Sequence, residues 1–457
     1  MALDRPLRIL QVNTFDVAGG AERVAWNLFT SYREMGHQSR LTVGHRKSCD
    51  PGVMELSYQP KRFSFHAAFS ACESGLAPLA GRVRGAWRLH RLCDELKRGW
   101  QVPFELMLGR EDFHFPGSRE LLRMTDNFPD IVHGHNLHKN YFDLRILPEL
   151  CRRVPVILTL HDAWLLSGHC AHSFDCARWQ TGCGECPDLS IYPSVRRDST
   201  ASNWRRKREI FAQSRLYIAT PSDWLLQRVE ASMLAPAVIE ARVIPNGVDL
   251  ATFRPAQDCD AVRNRLGIDS ASRIVVFAAN GIRGNMFKDY GTFRAAIAKL
   301  GARWSGSPLR FLAVGEGGPP ETIGLARLEF VPFSQDGAHI AQYLQAADVY
   351  VHAARADTFP NTVIEALACG TPVVASAVGG IPEQIENNIT GFLVAAGDST
   401  DMANRIELLL RKDDLRRKMG AAAGARARQR FDLKHQAETY LNWYRSILES
   451  HSRKRSF

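Results

Sequence analysis

Short apolar runs alternate along this chain with longer stretches in which apolar positions recur every three or four residues. The first pattern predicts buried parallel strands, and the second predicts helices that cover them. Residues 8–13 (RILQVN) are such a run, and over 21–35 Val24, Leu28 and Tyr32 fall on one helical face. The runs at 38–43, 130–133 (DIVH), 154–160 (VPVILTL) and 215–220 continue the series. A second series begins at 273–278 (RIVVFA) and goes on at 309–314, 328–333, 349–352 and 372–375. Helical patterns follow at 402–430 and at 433–449, where Tyr440, Trp443 and Ile447 share a face. Strands alternating with helices predict an α/β fold on parallel sheets. The turn-rich string 242–255 (RVIPNGVDLATFRP) reads as a linker between the two series.

The regular alternation lapses from 48 to 127, too long for an ordinary connection. Within it, 81–100 (GRVRGAWRLHRLCDELKRGW) places Trp87, Leu89, Leu92, Leu96 and Trp100 on a broad helical face. Arg82, Arg84, Arg88, Arg91, Lys97 and Arg98 surround them. Two readings stand: a charged helix packed on the domain core, or a basic amphipathic helix lying on an anionic bilayer surface.

The length, 457 residues, fits two or three domains with a core in each half. Lys and Arg (58) outnumber Asp and Glu (48), giving a net charge of +10 that suits anionic partners. No RRM, KH or zinc-finger pattern accompanies the charge, so nucleic acid is not an expected partner. Residues 7–12 read as a first strand rather than a signal peptide, and no apolar run approaches the roughly 18 residues of a membrane span. The ten cysteines, most of them scattered singly, predict a reducing cytoplasm.

The chemistry concentrates in 346–392. A strand leads to a loop carrying Asp357, then a helix with Glu365, then Gly370, a second strand, Gly379-Gly380 and Glu383. In such a βαβ unit the ligand crevice lies at the carboxyl ends of the strands. Loop amides and a helix start favour anions there, and the carboxylates accept hydrogen bonds from hydroxyls. The same logic applies at Gly19-Gly20-Ala21-Glu22-Arg23, where glycine lets backbone approach a ligand. His135 and His161-Asp162 close two strands of the first series. Arg283 and Lys288 follow the first strand of the second series and can neutralise a diphosphate.

Cys170, Cys176, Cys183 and Cys186 cluster with His169 and His172 nearby, and Cys183-Gly-Glu-Cys186 has zinc-knuckle spacing. A structural zinc, disulfides and reduced thiols all fit this pattern.

Glu365-Ala-Leu-Ala-Cys-Gly-Thr-Pro-Val-Val-Ala375, with Asp357 where the pattern has Glu, resembles the donor-binding motif of the retaining glycosyltransferases of family 4. The resemblance also covers the Gly-Gly-Ala-Glu loop, His161-Asp162, the Pro-Asn-Gly-Val-Asp string at 245–249 and the Arg283/Lys288 pair. The cysteine cluster beside His-Asp-Ala-Trp is similar to the colanic acid and exopolysaccharide branch.

The resemblance implies the GT-B fold: two Rossmann-like doubly wound domains facing across a cleft. The first, 1–240, would hold the acceptor and carry the 48–127 insertion and the 170–186 cluster. The second, 241–430, would hold a UDP- or GDP-sugar, and a helix over 431–457 would return to the first. Catalytic roles are implied for His161, Arg283, Lys288, Asp357 and Glu365. Donor contacts are implied for Gly19, Gly20, Thr358, Phe359, Asn361, Thr362 and Glu383 as well. The implied reaction is metal-independent sugar transfer with retention to a glycan or lipid-linked glycan, at the cytoplasm or the cytoplasmic face of a membrane. A GT-B epimerase acting on a nucleotide sugar and a non-catalytic sugar-nucleotide binder are the alternatives.

Overall fold

A computed structural model describes residues 5–56, 72, 76–79, 83, 85–98 and 102–455. The first sheet contains β1 (Arg8–Phe15), β2 (Gln38–His45), β3 (Val53–Glu55), β4 (Ile131–Gly134), β5 (Val156–Thr159), β6 (Leu216–Thr220) and β7 (Val238–Val243). Its order is β3-β2-β1-β4-β5-β6-β7, with every pair parallel. Apolar residues alternate between its two faces. Ile9 joins a layer with the Gly20–Glu34 helix, while Leu10 and Val12 join the opposite layer with Trp164 and Trp204.

The second sheet contains β8 (Arg273–Ala278), β9 (Leu309–Val314), β10 (Gly318–Ile323), β11 (Ala326–Val331), β12 (Val349–His352), β13 (Val373–Ser376) and β14 (Gly391–Val394). Its order is β10-β11-β9-β8-β12-β13-β14, parallel except for the β10–β11 pair. Both sheets are doubly wound, so the α/β class and the GT-B architecture expected from the sequence are present. In each sheet the strand order reverses beside the first strand, and a crevice opens there at the carboxyl ends. The chain brings residues 16–20, 135 and 161 to one reversal and 279–288 and 353–358 to the other.

Several elements differ from the expectation. β3 lies inside the 48–127 stretch, and the reading passed over β7 and the four-residue β14. β10 (GPPETI) was not anticipated either; its two prolines weaken a strand signal, yet proline is tolerated on an edge. The pattern at 402–430 divides at Lys412 into helices Ser399–Arg411 and Asp413–Arg430. The acidic pair Asp413-Asp414 favours a new helix start there.

The polypeptide passes between the sheets twice, side by side. Val248 N–H donates to the Phe431 carbonyl (2.7 Å), and Leu433 N–H donates to the Val248 carbonyl (3.1 Å). The Leu433–Arg455 helix then lies on the first sheet, burying Tyr440, Trp443, Tyr444 and Ile447 against Leu7, Ile9, Val24 and Leu28. Each apolar side chain so covered contributes about 1.5–3 kcal/mol.

In the insertion, helix Ala86–Arg98 buries Ala86, Cys93 and Glu95 but leaves Trp87 50%, Leu89 49% and Leu92 40% exposed. Phe104 and Met107 of the adjoining short helix are exposed too. Arg82, Arg84 and Trp100 lie outside the described residues, as do the side chains of Lys97 and Arg98. Among the described residues no helix is long and apolar enough to cross a membrane.

Candidate active site

The second sheet supplies a buried polar cluster. Lys288 Nζ donates to Asp357 Oδ2 at 2.6 Å and lies 3.2 Å from His352 Nε2. His352 closes β12, and its Nδ1 is 3.0 Å from the Tyr350 hydroxyl. Burial, then the Lys288 charge, lowers the His352 pKa to about 4, so its ring is neutral. Burial works against charge on Asp357 as well, but Lys288 and His352 outweigh it and hold the carboxyl far below its ordinary value. The loops are pinned together, because Arg355 and Ala356 N–H both donate to the Phe287 carbonyl (3.0 and 3.2 Å). Gly379, at φ +54°, passes so close to the Asp357 carbonyl that a Cβ would stand 1.8 Å from it. The Gly-Gly step therefore supports the acidic loop from below.

The first sheet supplies histidines. His161 Nε2 is 3.0 Å from His135 Nδ1, and the rings stack 5.3 Å apart. His135 Nε2 reaches Gln11 Oε1 at 3.0 Å. The His133 ring lies 4.3 Å from that of His135, tilted by 33°, and bonds Thr159 Oγ1 (2.7 Å) and the Tyr444 hydroxyl (2.6 Å). Burial pushes the pKa of His161 to about 4 and that of His133 to about 3, and His135 is shifted well down for the same reason. The cleft histidines are thus neutral, and His133 beneath them rests on the Tyr444 hydroxyl of the terminal helix.

Direct bonds cross the cleft. Thr358 Oγ1 donates to the His161 carbonyl (2.6 Å), and Asn361 Nδ2 donates to the Gly20 carbonyl (3.0 Å). Arg23, on the first turn of the Gly20–Glu34 helix, reaches Glu365 Oε1 at 3.2 Å. Burial raises the Glu365 pKa, and Arg23 opposes that shift. Two of the cavities that border the Thr358–Thr362 segment matter most here. One, of about 120 Å³, is lined by residues that include Gly19, Gly20, Arg23, Phe333, Asn361 and Glu365. The other, of about 250 Å³, is lined by Asp162, His172, Tyr192, Lys288, Asp357 and Thr358. Lys288 and Glu365 therefore border neighbouring cavities rather than a single one.

Three expected contacts are placed elsewhere. Arg283 donates to Glu316 and to the Gly317 carbonyl, stacks over Phe330 at 4.6 Å and lines neither cavity. The Phe359 ring is buried in the second core and meets Phe431 edge-on at 6.0 Å. Glu383 accepts from Asp223 and Trp224 N–H, both at 2.8 Å, and so caps a first-domain helix, Asp223–Glu230. In each case a nearby partner supplied by the tertiary fold captures the side chain.

Arg23, Asp162, His172, Tyr192 and His352 enter the site without having been singled out as donor contacts. His352 was the most readable, since it ends a strand of the crevice.

The cysteine cluster lends the zinc reading no support. All four thiols are free, and His169 Nε2 sits 3.3 Å from Cys186 Sγ. Among the described residues no group of three or more His, Cys, Asp or Glu is arranged to hold a metal ion. The loop is held instead by ordinary hydrogen bonds, such as Gly184 N–H to Thr200 Oγ1 (2.9 Å) and Cys186 N–H to Asp198 (2.7 Å).

Two doubly wound domains with polar clusters converging between them define the GT-B class of glycosyltransferases. Residues 18–252 match the pattern described as Glycosyltransferase Family 4, and 272–412 match Glycosyl transferases group 1. The chain belongs to glycosyltransferase family 4. It is 24% identical over 334 residues to WcaC of Escherichia coli strain K12, to which glycosyl transfer in colanic acid biosynthesis is provisionally ascribed; the match covers 70% of this chain and 77% of WcaC. It is 35% identical over 217 residues to the D-inositol 3-phosphate glycosyltransferase of Segniliparus rotundus, covering 45% of this chain and 47% of that one. The chain thus spans about half the length of that relative. The crystal structure of Anabaena HepE with UDP and glucose superposes with a TM-score of 0.64 at 18% identity, covering 96% of this chain and all of HepE.

Proposed function

We propose that this glycosyltransferase moves a sugar from a nucleoside diphosphate sugar to a hydroxyl of a glycan, with retention at the anomeric carbon, in cell-surface polysaccharide synthesis. The observation that carries the reading is the pairing of Lys288 with Asp357 beside one cavity and Glu365 beside the next, across a segment of five residues. A nucleotide sugar is the ligand class whose parts need both. Glu365 accepts from ribose hydroxyls, and Phe333 flanks the base. The diphosphate lies over the Thr358–Thr362 segment and the Gly19-Gly20 helix start, where amides favour anions. The sugar enters the second cavity, with Asp357 accepting from one of its hydroxyls and His161 one residue behind the lining Asp162.

Among the described residues we assign none as a nucleophile toward the anomeric carbon, so attack comes from the face of departure. The bond from the anomeric carbon to the phosphate oxygen breaks, the acceptor oxygen bonds that carbon, and its proton passes to the departing phosphate. The Lys288 ammonium and the loop amides meet the developing charge without calling on a metal ion. Arg283 adds to this once it exchanges Glu316 for phosphate. Glu383 holds the domains in register rather than reading the sugar.

We assign the acceptor to residues 1–240, the donor to 241–430 and the domain clasp to 431–457. The similarity to WcaC and the HepE complex with UDP and glucose support this choice of donor class and pathway. The exposed Trp87, Leu89 and Leu92 next to Arg88 and Arg91 suit an anionic bilayer on the cytoplasmic side, and with it a lipid-linked acceptor. The test is a thermal-shift screen with UDP, GDP and their sugars, because a ligand that binds the folded form raises its melting temperature. Stabilisation by one base series supports the reading. No shift with either series, combined with no transfer, would contradict it.

A further inference from the structure

The cavity beside Lys288 and Asp357 has a wall from the cysteine-rich loop, formed by Ala171 and His172. His172 is only 9% exposed. Its Nδ1 accepts from the Phe174 N–H at 3.0 Å, which leaves the ring proton on Nε2. That Nε2 has no hydrogen-bond partner. Burial, then the Arg228 charge, lowers the pKa of the ring to about 4, so at neutral pH it is a neutral single donor. The ring is firmly set: it stacks on Trp224 at 5.5 Å and 9°, and meets Phe174 edge-on at 5.2 Å. Phe174 in turn stacks on Phe287 of the second domain at 5.9 Å and 8°, one residue from Lys288. The loop therefore reaches across the cleft and delivers His172 to the wall of the cavity.

A buried donor left unsatisfied is costly, and this one belongs to a side chain that lines the cavity. The carboxylates facing the same cavity are already served. Asp357 takes Lys288, and Asp162 takes His138 Nε2 (2.9 Å) and the Trp164 N–H (2.9 Å). The His172 N–H is what remains to be matched.

We propose that His172 determines sugar specificity: its Nε2–H donates to an oxygen of the transferred sugar while Asp357 accepts from a hydroxyl of the same ring. The assignment rests on the donor reading above. A neutral N–H selects an oxygen that can accept, and so a hexose carrying a hydroxyl or carboxylate at that position over its deoxy counterpart. The cysteine-rich loop is then the element that makes sugar choice a property of the first domain.

The test is calorimetric titration of the full chain with UDP, UDP-glucose, GDP and GDP-mannose, using His172→Phe and His172→Gln. Phenylalanine keeps the stack on Trp224 and removes the N–H, and glutamine restores an amide donor. The expected result is about a tenfold loss of sugar-nucleotide affinity in His172→Phe, with affinity for the bare nucleotide unchanged and part of the loss recovered in His172→Gln. Equal affinities in wild type and His172→Phe overturn the assignment. Equal losses for nucleotide and sugar nucleotide also overturn it, since they report a damaged fold. A wild type that binds none of the four ligands overturns the donor reading and the assignment together.

Discussion

Lys288 Nζ lies 2.6 Å from Asp357 Oδ2, and the two residues come from the loops after β8 and β12, neighbours in the second sheet. Neither side chain is well hydrated, so each depends on the other. Lys288→Met leaves a buried carboxylate without its cation, and a loss of about 3–5 kcal/mol is expected. The double variant Lys288→Met/Asp357→Asn should recover most of that stability and none of the transfer activity. Urea unfolding alongside a transfer assay separates the two effects. Recovery of turnover in the double variant would show that the pair is structural only.

The same pair gives a pH prediction. The Asp357 carboxyl is held far below its ordinary value, so its contribution is present above the unfolded-state value of about 3.9 and is lost as pH falls from there. The stability difference between wild type and Asp357→Asn should be flat from pH 7 to 5 and shrink below pH 4. A difference that grows on acidification contradicts the ion pair.

Buried histidines act in a higher window. His133, His161, His172 and His352 stay neutral in the fold down to pH values of about 3 to 4, while the unfolded chain takes up protons from about 6.5. Stability must therefore fall as pH drops below about 6.5, with each such histidine adding up to about 1.4 kcal/mol per pH unit. Denaturant titrations at pH 7, 6 and 5 measure the slope.

Glu383 distinguishes two roles. As a cap on the Asp223–Glu230 helix it fastens the second domain to the first, and Glu383→Ala should cost about 0.5–2 kcal/mol. Scattering should then show a more open molecule, with the relative affinity for sugar nucleotide over nucleotide unchanged. A selective loss of sugar-nucleotide affinity would return Glu383 to the donor pocket.

Leu89 and Leu92 stand out of the Ala86–Arg98 helix, 49% and 40% exposed. Leu89→Glu/Leu92→Glu should abolish co-sedimentation with phosphatidylglycerol vesicles and leave the unfolding midpoint within a few degrees. Wild type that stays in the supernatant at low salt removes the membrane proposal.

Tyr444 carries the last test. Its hydroxyl is 2.6 Å from His133 Nδ1 and 3.1 Å from the Tyr32 hydroxyl, all fully buried. Tyr444→Phe strands those partners and should cost about 1–3 kcal/mol. If the contact from His133 through His135 orients His161, turnover falls in the same variant at saturating donor.

Pattern alone determined the two α/β halves, because a strand buried on both faces must be an apolar run and its covering helix must repeat every three to four residues. It also determined the acidic loop and the strand-end histidines, since residues at the carboxyl ends of parallel strands stand at the crevice whatever packs around them. Short or polar strands such as β10 and β14 escaped it, because their pairing comes from neighbours and not from their own residues. Which charged groups face the ligand was decided in three dimensions. Arg283 meets Glu316, Glu383 meets the Asp223–Glu230 helix start, and His172, a neighbour of the cysteine cluster in the sequence, lines a cavity in the cleft. A sequence fixes the order in which groups are met along the chain. The choice among partners depends on distances of a few ångströms between segments hundreds of residues apart, and only the folded molecule sets those.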